Sequence, residues 1–334
     1  MGRADRRAGG KIRAMRVITL EEHFWTPAIA EAIGALRNPD AGADSPLGAN
    51  LADLGERRIA AMDASGIDLQ VISHTTPGVQ HLDGATAVPL AREANDVLAA
   101  AVRSHSDRFA GFATLPTSDP SAAADELSRA VGELGFLGAM VNGHTGGRFL
   151  DDPGFAPLLE RFERLDVPLY LHPTEPVPAV RQAYYEGFAP AVTWFLSAAA
   201  WGWHSETALH VLRMVLGGVF DRHPRLRLII GHMGEMLPFM LQRVDDNLPP
   251  KVTGLDRLPS EYVLDHVHIT NSGLFSVPPL QCALSVFGIE RVMFSVDWPY
   301  APNEEGRRLL EEAPLSAEEL ERFAHGNAER VLGL

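Results

Sequence analysis

A single cysteine, Cys282, stands among 334 residues, so no internal disulfide can form and the fold must rest on its core. A cytoplasmic setting is the natural expectation. Basic charge is scarce as well. Lysine and arginine total 29 against 43 aspartates and glutamates, for a net charge of -14. So acidic a chain is not a general binder of nucleic acid or of an anionic membrane. An anionic substrate would need a local cation. Only two lysines occur, Lys11 and Lys251. Long apolar runs are missing too. The most apolar stretch, GFAPAVTWFLSAAAWGW over Gly187–Trp203, is shorter than the roughly 20 residues of a spanning helix and is broken by proline and glycine. It is expected to form a buried helix, a lid or a subunit contact. No internal repeat occurs. The one biased tract, MGRADRRAGGKIRA at 1–14, has no apolar centre and reads as a disordered extension, not a signal peptide.

What is present is strand-like sequence at regular intervals. Eight runs rich in aliphatic and β-branched residues read as strands: Val17–Phe24, Asp68–His74, Phe109–Leu115, Ala139–His144, Pro168–His172, Leu226–His232, Val267–Ser272 and Arg291–Asp297. Helical periodicity lies between most of them, as over Ala85–Ser104 and Ser121–Leu134. Asp119-Pro120 and Asp152-Pro153 read as helix starts, and Ser316-Ala317-Glu318-Glu319 as a capping box. Alternating strands and helices imply parallel strands with helical crossovers, and eight units fit a (β/α)8 TIM-type barrel over residues 15–334. The connections at 26–57 and 173–204 are long and leave the C-terminal ends of strands 1 and 5. Barrel active sites lie there, so both are candidate lids.

Polar residues gather at those strand ends. Simple alternation in TLEEHF puts Val17, Thr19, Glu21 and His23 on the inward face, and Ile18, Leu20, Glu22 and Phe24 on the helix-packed face. Glu21 and His23 could then bind one cation. His172 ends strand 5, His232 ends strand 6 with Glu235 just beyond, and Asp297 ends strand 8. A lone histidine at a strand end is more often a hydrogen-bonded structural group, and Asp297 before Trp-Pro could cap a turn. Several such groups on one rim favour a metal site. His74 and His144 could line the pocket or be structural, and His268 reads as a core residue. Phe24, Trp25, Phe275, Trp298 and Tyr300 are candidates for an aromatic wall, and Phe24 and Tyr300 for substrate contact.

The motifs LEEHF at 20–24, GAMVNGHT at 138–145, LHP at 171–173, GWHSETA at 202–208, GHMGEMLPFMLQR at 231–243 and FSVDWPY at 294–300 span almost the whole chain. In that order they resemble the amidohydrolase superfamily, and more closely its non-oxidative decarboxylases. That branch includes the γ-resorcylate, dihydroxybenzoate and aminocarboxymuconate semialdehyde decarboxylases. The resemblance implies a (β/α)8 barrel, one divalent metal ion per subunit, no organic cofactor, and homodimers or homotetramers. It implies Glu21, His23, His172 and Asp297 as metal ligands. It makes His232 the catalytic histidine with Glu235 as its partner, and puts Arg243 and Asn142 at substrate-contacting positions. The chain departs from the wider superfamily in strand 1, where Glu21-Glu22-His23 replaces His-x-His. It also has no lysine in strand 4, which excludes a lysine-bridged pair of metals. The oxygen-richer donor set leaves Zn²⁺ and Mn²⁺ open and makes Mg²⁺ the poorer match.

The expected reaction is loss of CO2 from a small, ortho-hydroxylated aromatic acid after protonation of the ring carbon that bears the carboxylate. Asp297 is the first choice for the acid, with His232 as an alternative route for the proton. Two other readings stay open. One is a metal hydrolase of a small lactone or carboxylated ring, with Asp297 as base. The other is a non-catalytic barrel whose rim histidines are structural.

Overall fold

The computed structural model describes residues 15–34, 42 and 44–334. The expected extension over 1–14 and residues 35–41 and 43 of the first long connection lie outside the described residues. The strands are β1 Ile18–Phe24, β2 Leu69–His74, β3 Phe109–Gly111, β4 Ala113–Thr114, β5 Ala139–Asn142, β6 Leu169–His172, β7 Leu228–Ile230, β8 Val267–Thr270 and β9 Val292–Met293. All pairings are parallel, in the orders β1-β2-β3 and β4-β5-β6-β7-β8-β9. β3 and β4 are one strand interrupted at Phe112, whose amide donates to the Ile72 carbonyl instead. Helices occupy the crossovers, which gives the (β/α)8 barrel its eight strands. The capping signals act as read. Asp119 accepts from the Ser121 and Ala122 amides, and Ser316 and Glu319 form a reciprocal box. Asp152 caps a 3₁₀ turn that leads into the helix Ala156–Leu165.

Alternation along the strands divides the core into two layers. Val17, Ile72, Val141, Leu171, Ile230, Ile269 and Val296 pack outward against helices. Leu69, Val71, Phe112, Met140, Tyr170, Ile229 and Met293 fill the barrel, together with Ile18 and Leu20. Val331 and Leu332, from the helix Asn327–Leu332, pack on the same inner group. Each fully buried aliphatic or aromatic side chain contributes about 1.5–3 kcal/mol. The inner apolar layer forms the floor on which the polar rim stands.

The simple alternation read for β1 is wrong in its lower half. Ile18 and Leu20 point into the barrel, while Val17 packs outward. The reason is a bulge. Thr19 pairs with Gln70 and Glu22 with Ile72, so β1 carries one more residue than β2 in that interval. The extra residue lets Leu20 and Glu21 both face inward, and His23 follows on the same side. Leu20 fills the core and Glu21 reaches the rim.

The bulge lies at the seam between the first and last strands. Among the described residues no ladder joins β9 to β1. Side chains close the gap. The Leu20 and Glu21 amides both donate to Ser295 Oγ, at 3.0 and 2.8 Å. The Val296 and Trp298 amides donate to the Glu22 carboxylate at 3.0 and 2.9 Å. Ser295 Oγ donates to Glu22 Oε1 at 3.0 Å, and the His23 amide donates to the Trp298 carbonyl at 2.7 Å. A buried amide left without an acceptor costs about 1–3 kcal/mol, and here two side chains serve four of them.

The long connections contain short helices: Pro27–Ile33 and Pro46–Ala52 after β1, Pro178–Tyr185 and Pro190–Ser197 after β6. Gly187–Trp203 is therefore not one buried helix. Phe188, Phe195 and Trp201 are about half exposed, at 58%, 49% and 53%. Among the described residues no helix is long and apolar enough to cross a membrane.

Candidate metal centre

Four side chains from β1, β6 and the turn after β9 converge at the rim. Glu21, His23, His172 and Asp297 each offer one ligand atom, and these atoms all lie within 4.8 Å of one another. His23 Nε2 stands 3.1 Å from Asp297 Oδ1, and His172 Nε2 stands 3.3 Å from Glu21 Oε1. Asp297 reaches inward because its backbone is left-handed, with φ at +76°, a conformation that aspartate tolerates better than most side chains. Gly231, just past β7, faces the same point. A Cβ there would run into the Glu21 carboxylate, so only glycine fits.

Three of the four donors have their other polar atom held. Tyr170 donates its hydroxyl to Glu21 Oε2, and Thr270 Oγ1 lies 2.9 Å from the same phenol oxygen. His172 Nδ1–H donates to the Pro173 carbonyl at 2.7 Å, which leaves Nε2 as the lone-pair nitrogen. Ser73 Oγ lies 3.4 Å from His23 Nδ1, while its proton points to Met140 Sδ at 3.0 Å. That arrangement makes His23 Nδ1 the donor and leaves Nε2 bare. Glu21 Oε1, His23 Nε2 and Asp297 Oδ1 are buried and have no hydrogen-bond partner. These orphaned atoms, one imidazole nitrogen and two carboxylate oxygens converging with His172 Nε2, fit a divalent ion.

The electrostatics agree. Burial pushes the Glu21 carboxyl above its usual range; His232 opposes this, and the like charge of Asp297 adds to it. Burial beside His23 pushes His172 down to about 3, so its imidazole is neutral. Burial also acts to raise Asp297, but the neighbouring His23 and His232 imidazoles outweigh it and hold the carboxyl below its ordinary value.

His232 borders this group. Its Nε2 lies 3.6 Å from Glu21 Oε1 and 3.9 Å from Asp297 Oδ2. Its Nδ1 meets Glu235 Oε1 at 2.7 Å. The other Glu235 oxygen meets His204 Nδ1 at 2.6 Å, and His204 Nε2 reaches the Ala199 carbonyl at 2.8 Å. Burial alone would lower the His232 pKa, but Glu235 and Glu21 outweigh it and raise it well above 6.5. His204, Glu235 and His232 also form a second close group of possible ligands. There the carboxylate already bridges the two imidazoles, so it reads as a proton-holding chain. His204 received no role from the sequence. Its place depends on the path of the second long connection, which no local pattern reveals.

Above the four donors lies a cavity of about 870 Å³, bounded by His172, Asp297, Tyr300, Trp203 and the segments 174–181 and 194–199. Tyr300 lines it and pairs with Thr75 Oγ1 at 2.6 Å. Phe24 does not line it. That ring packs outward with Ile29, Ile33 and Ile72, because it follows the inward His23 by one residue. Trp25, Phe275 and Trp298 are also absent from the lining, and Trp194, Phe195 and Trp203 supply the aromatic wall. Asn142 is buried with its Oδ1 unpartnered, while Gln80 takes up its backbone amide and carbonyl. It borders Gly78 and is not among the lining residues. Arg243 is exposed on the helix Leu237–Asn247 and is not in the lining either. The cation that does line the cavity is Arg181, 3.9 Å from Glu175. His144 lines it with both ring nitrogens engaged by backbone, and His74 is held between the Thr26 amide and the Thr75 carbonyl.

A family model described as amidohydrolase matches residues 21–334. Decarboxylase orsB of Emericella nidulans is 40% identical over 326 residues, covering 95% of this chain and 96% of that protein. The γ-resorcylate decarboxylase of a Rhizobium species is 37% identical, covering 95% and 98%. Among solved structures, a dihydroxybenzoic acid decarboxylase from a Polaromonas species, with bound manganese and the inhibitor 2-nitroresorcinol, superposes with a TM-score of 0.88. It is 35% identical and covers 96% of this chain and 97% of its own.

Proposed function

The chain belongs to the amidohydrolase family, and from that premise we propose that it is a metal-dependent, non-oxidative decarboxylase of a small aromatic acid with a hydroxyl ortho to the carboxylate. The observation that carries this reading is the set of orphaned donor atoms at the rim, beneath a cavity with an aromatic wall. The decarboxylase relatives and their ligands favour it over hydrolysis.

Glu21, His23, His172 and Asp297 would hold one divalent ion, with Mn²⁺ or Zn²⁺ matching the donors. That ion would supply positive charge to orient the acid's carboxylate and ortho oxygen. The rest falls to the chain. Glu235 grips His232 through Nδ1, so the imidazole keeps its plane and turns Nε2 toward Asp297. The proton that His232 holds passes by way of Asp297 Oδ2 to the ring carbon bearing the carboxylate. The carbon–carbon bond then breaks, its electron pair restores aromaticity, and CO2 departs. Trp203, Phe195 and Tyr300 keep water from the ring. Incubating Mn²⁺-loaded protein with 2,6-dihydroxybenzoate and other ortho-hydroxybenzoates should release CO2 and the matching phenol in equal amounts. No CO2 from any of them, with a lactone opened instead, would favour the hydrolase.

The same reading gives the protein a second copy of itself as partner, as a dimer or tetramer, in the cytoplasm. Phe239, at 83% exposure, and Met240 share a helix with Arg243 and lie open on this chain, as do Tyr184 and Phe188. Sedimentation of the intact protein should give at least twice the monomer mass; a monomer at micromolar concentration overturns the assembly.

A further inference from the structure

Glu22 is buried, adjoins the donor Glu21, and takes no part in the donor set. Its contacts are all with donors: Ser295 Oγ and the Val296 amide on Oε1, and the Trp298 amide on Oε2. Burial pushes the Glu22 carboxyl up to about 7, and the hydrogen bonds from these donors pull the other way, toward the carboxylate. The two amides come from the residues immediately before and after Asp297. One rigid side chain therefore clamps both flanks of a residue held at positive φ.

Arg58 completes the clamp. It is fully buried, donates to the His23 carbonyl, and lies 4.3 Å over the Trp298 ring. Burial pushes its guanidinium down to about 9, while the Glu22 charge pulls the other way. So Glu22 and Arg58 together tie His23, on the first strand, to the turn that carries Asp297.

We propose that Glu22 is a positioning residue that sets Asp297 against His23 and Glu21 by holding the Val296 and Trp298 amides across the barrel seam. This rests on the reading of Asp297 as a metal ligand and proton carrier. Cation affinity and turnover therefore depend on where the Glu22 oxygens stand, beyond the charge they bring.

Two variants separate position from charge. Glu22→Asp keeps the charge and withdraws the oxygens by about 1.5 Å, one carbon–carbon bond. Glu22→Gln keeps the length but sets an amide N–H₂ against one of the donors. For each, Mn²⁺ affinity is measured by the free-ion signal in electron paramagnetic resonance, and kcat and KM for the acid that the wild type turns over. The expected result is Mn²⁺ bound about 10–100-fold more weakly in both variants, the range for lost outer contacts to a metal ligand. In folded, Mn²⁺-saturated protein, kcat should fall with KM within about threefold. Mn²⁺ affinity and kcat equal to wild type in folded Glu22→Asp would overturn the proposal, as a charge effect or a purely structural role would leave them intact. The Mn²⁺ readout needs no substrate. Wild-type protein that binds no divalent ion sinks the metal-site reading itself, whereas wild-type binding matched by both variants sinks only the role of Glu22.

Discussion

Asp297→Asn should fold as the wild type does and lose turnover by at least about a thousandfold. The backbone argument comes first. Asp297 sits at φ +76°, and asparagine shares aspartate's tolerance of the left-handed region, so the turn survives. The Glu22 clamp on the neighbouring amides does not involve the Asp297 side chain and also survives. What changes is one atom. The amide removes a negative donor from the rim and removes the oxygen that faces His232 Nε2 at 3.9 Å. Loss of a positioned proton carrier alone costs about 10²–10⁴-fold, and loss of the ligand charge adds to it. Circular dichroism should match the wild type while CO2 release falls by at least about a thousandfold. Turnover within tenfold of wild type would end the case for Asp297 as both ligand and proton carrier.

Removal of the divalent ion should abolish turnover completely and reversibly. Among the described residues Glu21 Oε1, His23 Nε2 and Asp297 Oδ1 have no hydrogen-bond partner, so the ion-free rim keeps two carboxylates close together under burial. An ion bound only by the folded state stabilises it by about 4 kcal/mol at a thousand times its dissociation constant. Dialysis against a chelator should therefore lower the melting temperature by several degrees, and Mn²⁺ should restore both stability and CO2 release. Full activity in protein shown by elemental analysis to be free of metal would contradict this.

The barrel was legible because strand and helix signals alternate with few interruptions, and because each polar rim residue follows an aliphatic run. LYLH, LIIGH and FSVD carry their histidine or aspartate just past the buried stretch, where the chain emerges from the barrel. The facing of the first half of β1 was not legible. Its period breaks at a bulge that depends on Ser295 and Glu22 meeting orphaned amides from 273 or more residues away in the chain. Phe24 was read onto the outward face, where it lies, and that facing is what keeps it from the cavity it was expected to line. Glu22 looked like an outward-facing charge and is in fact a seam residue. His204 and Arg58 lie on helices, but their partners come from distant elements, which periodicity does not encode. Arg243 lies on a helix face open to solvent in this chain, and a family resemblance alone had put it near the substrate.

The seam also orders events at synthesis. Glu21 and His23 leave the ribosome long before Ser295 and Asp297. A nascent chain that stops short of Ser295 has nothing to receive the Leu20 and Glu21 amides and lacks the fourth of the converging donors. The last strand therefore closes the seam and brings that donor to the rim in one step, so an unfinished chain has neither.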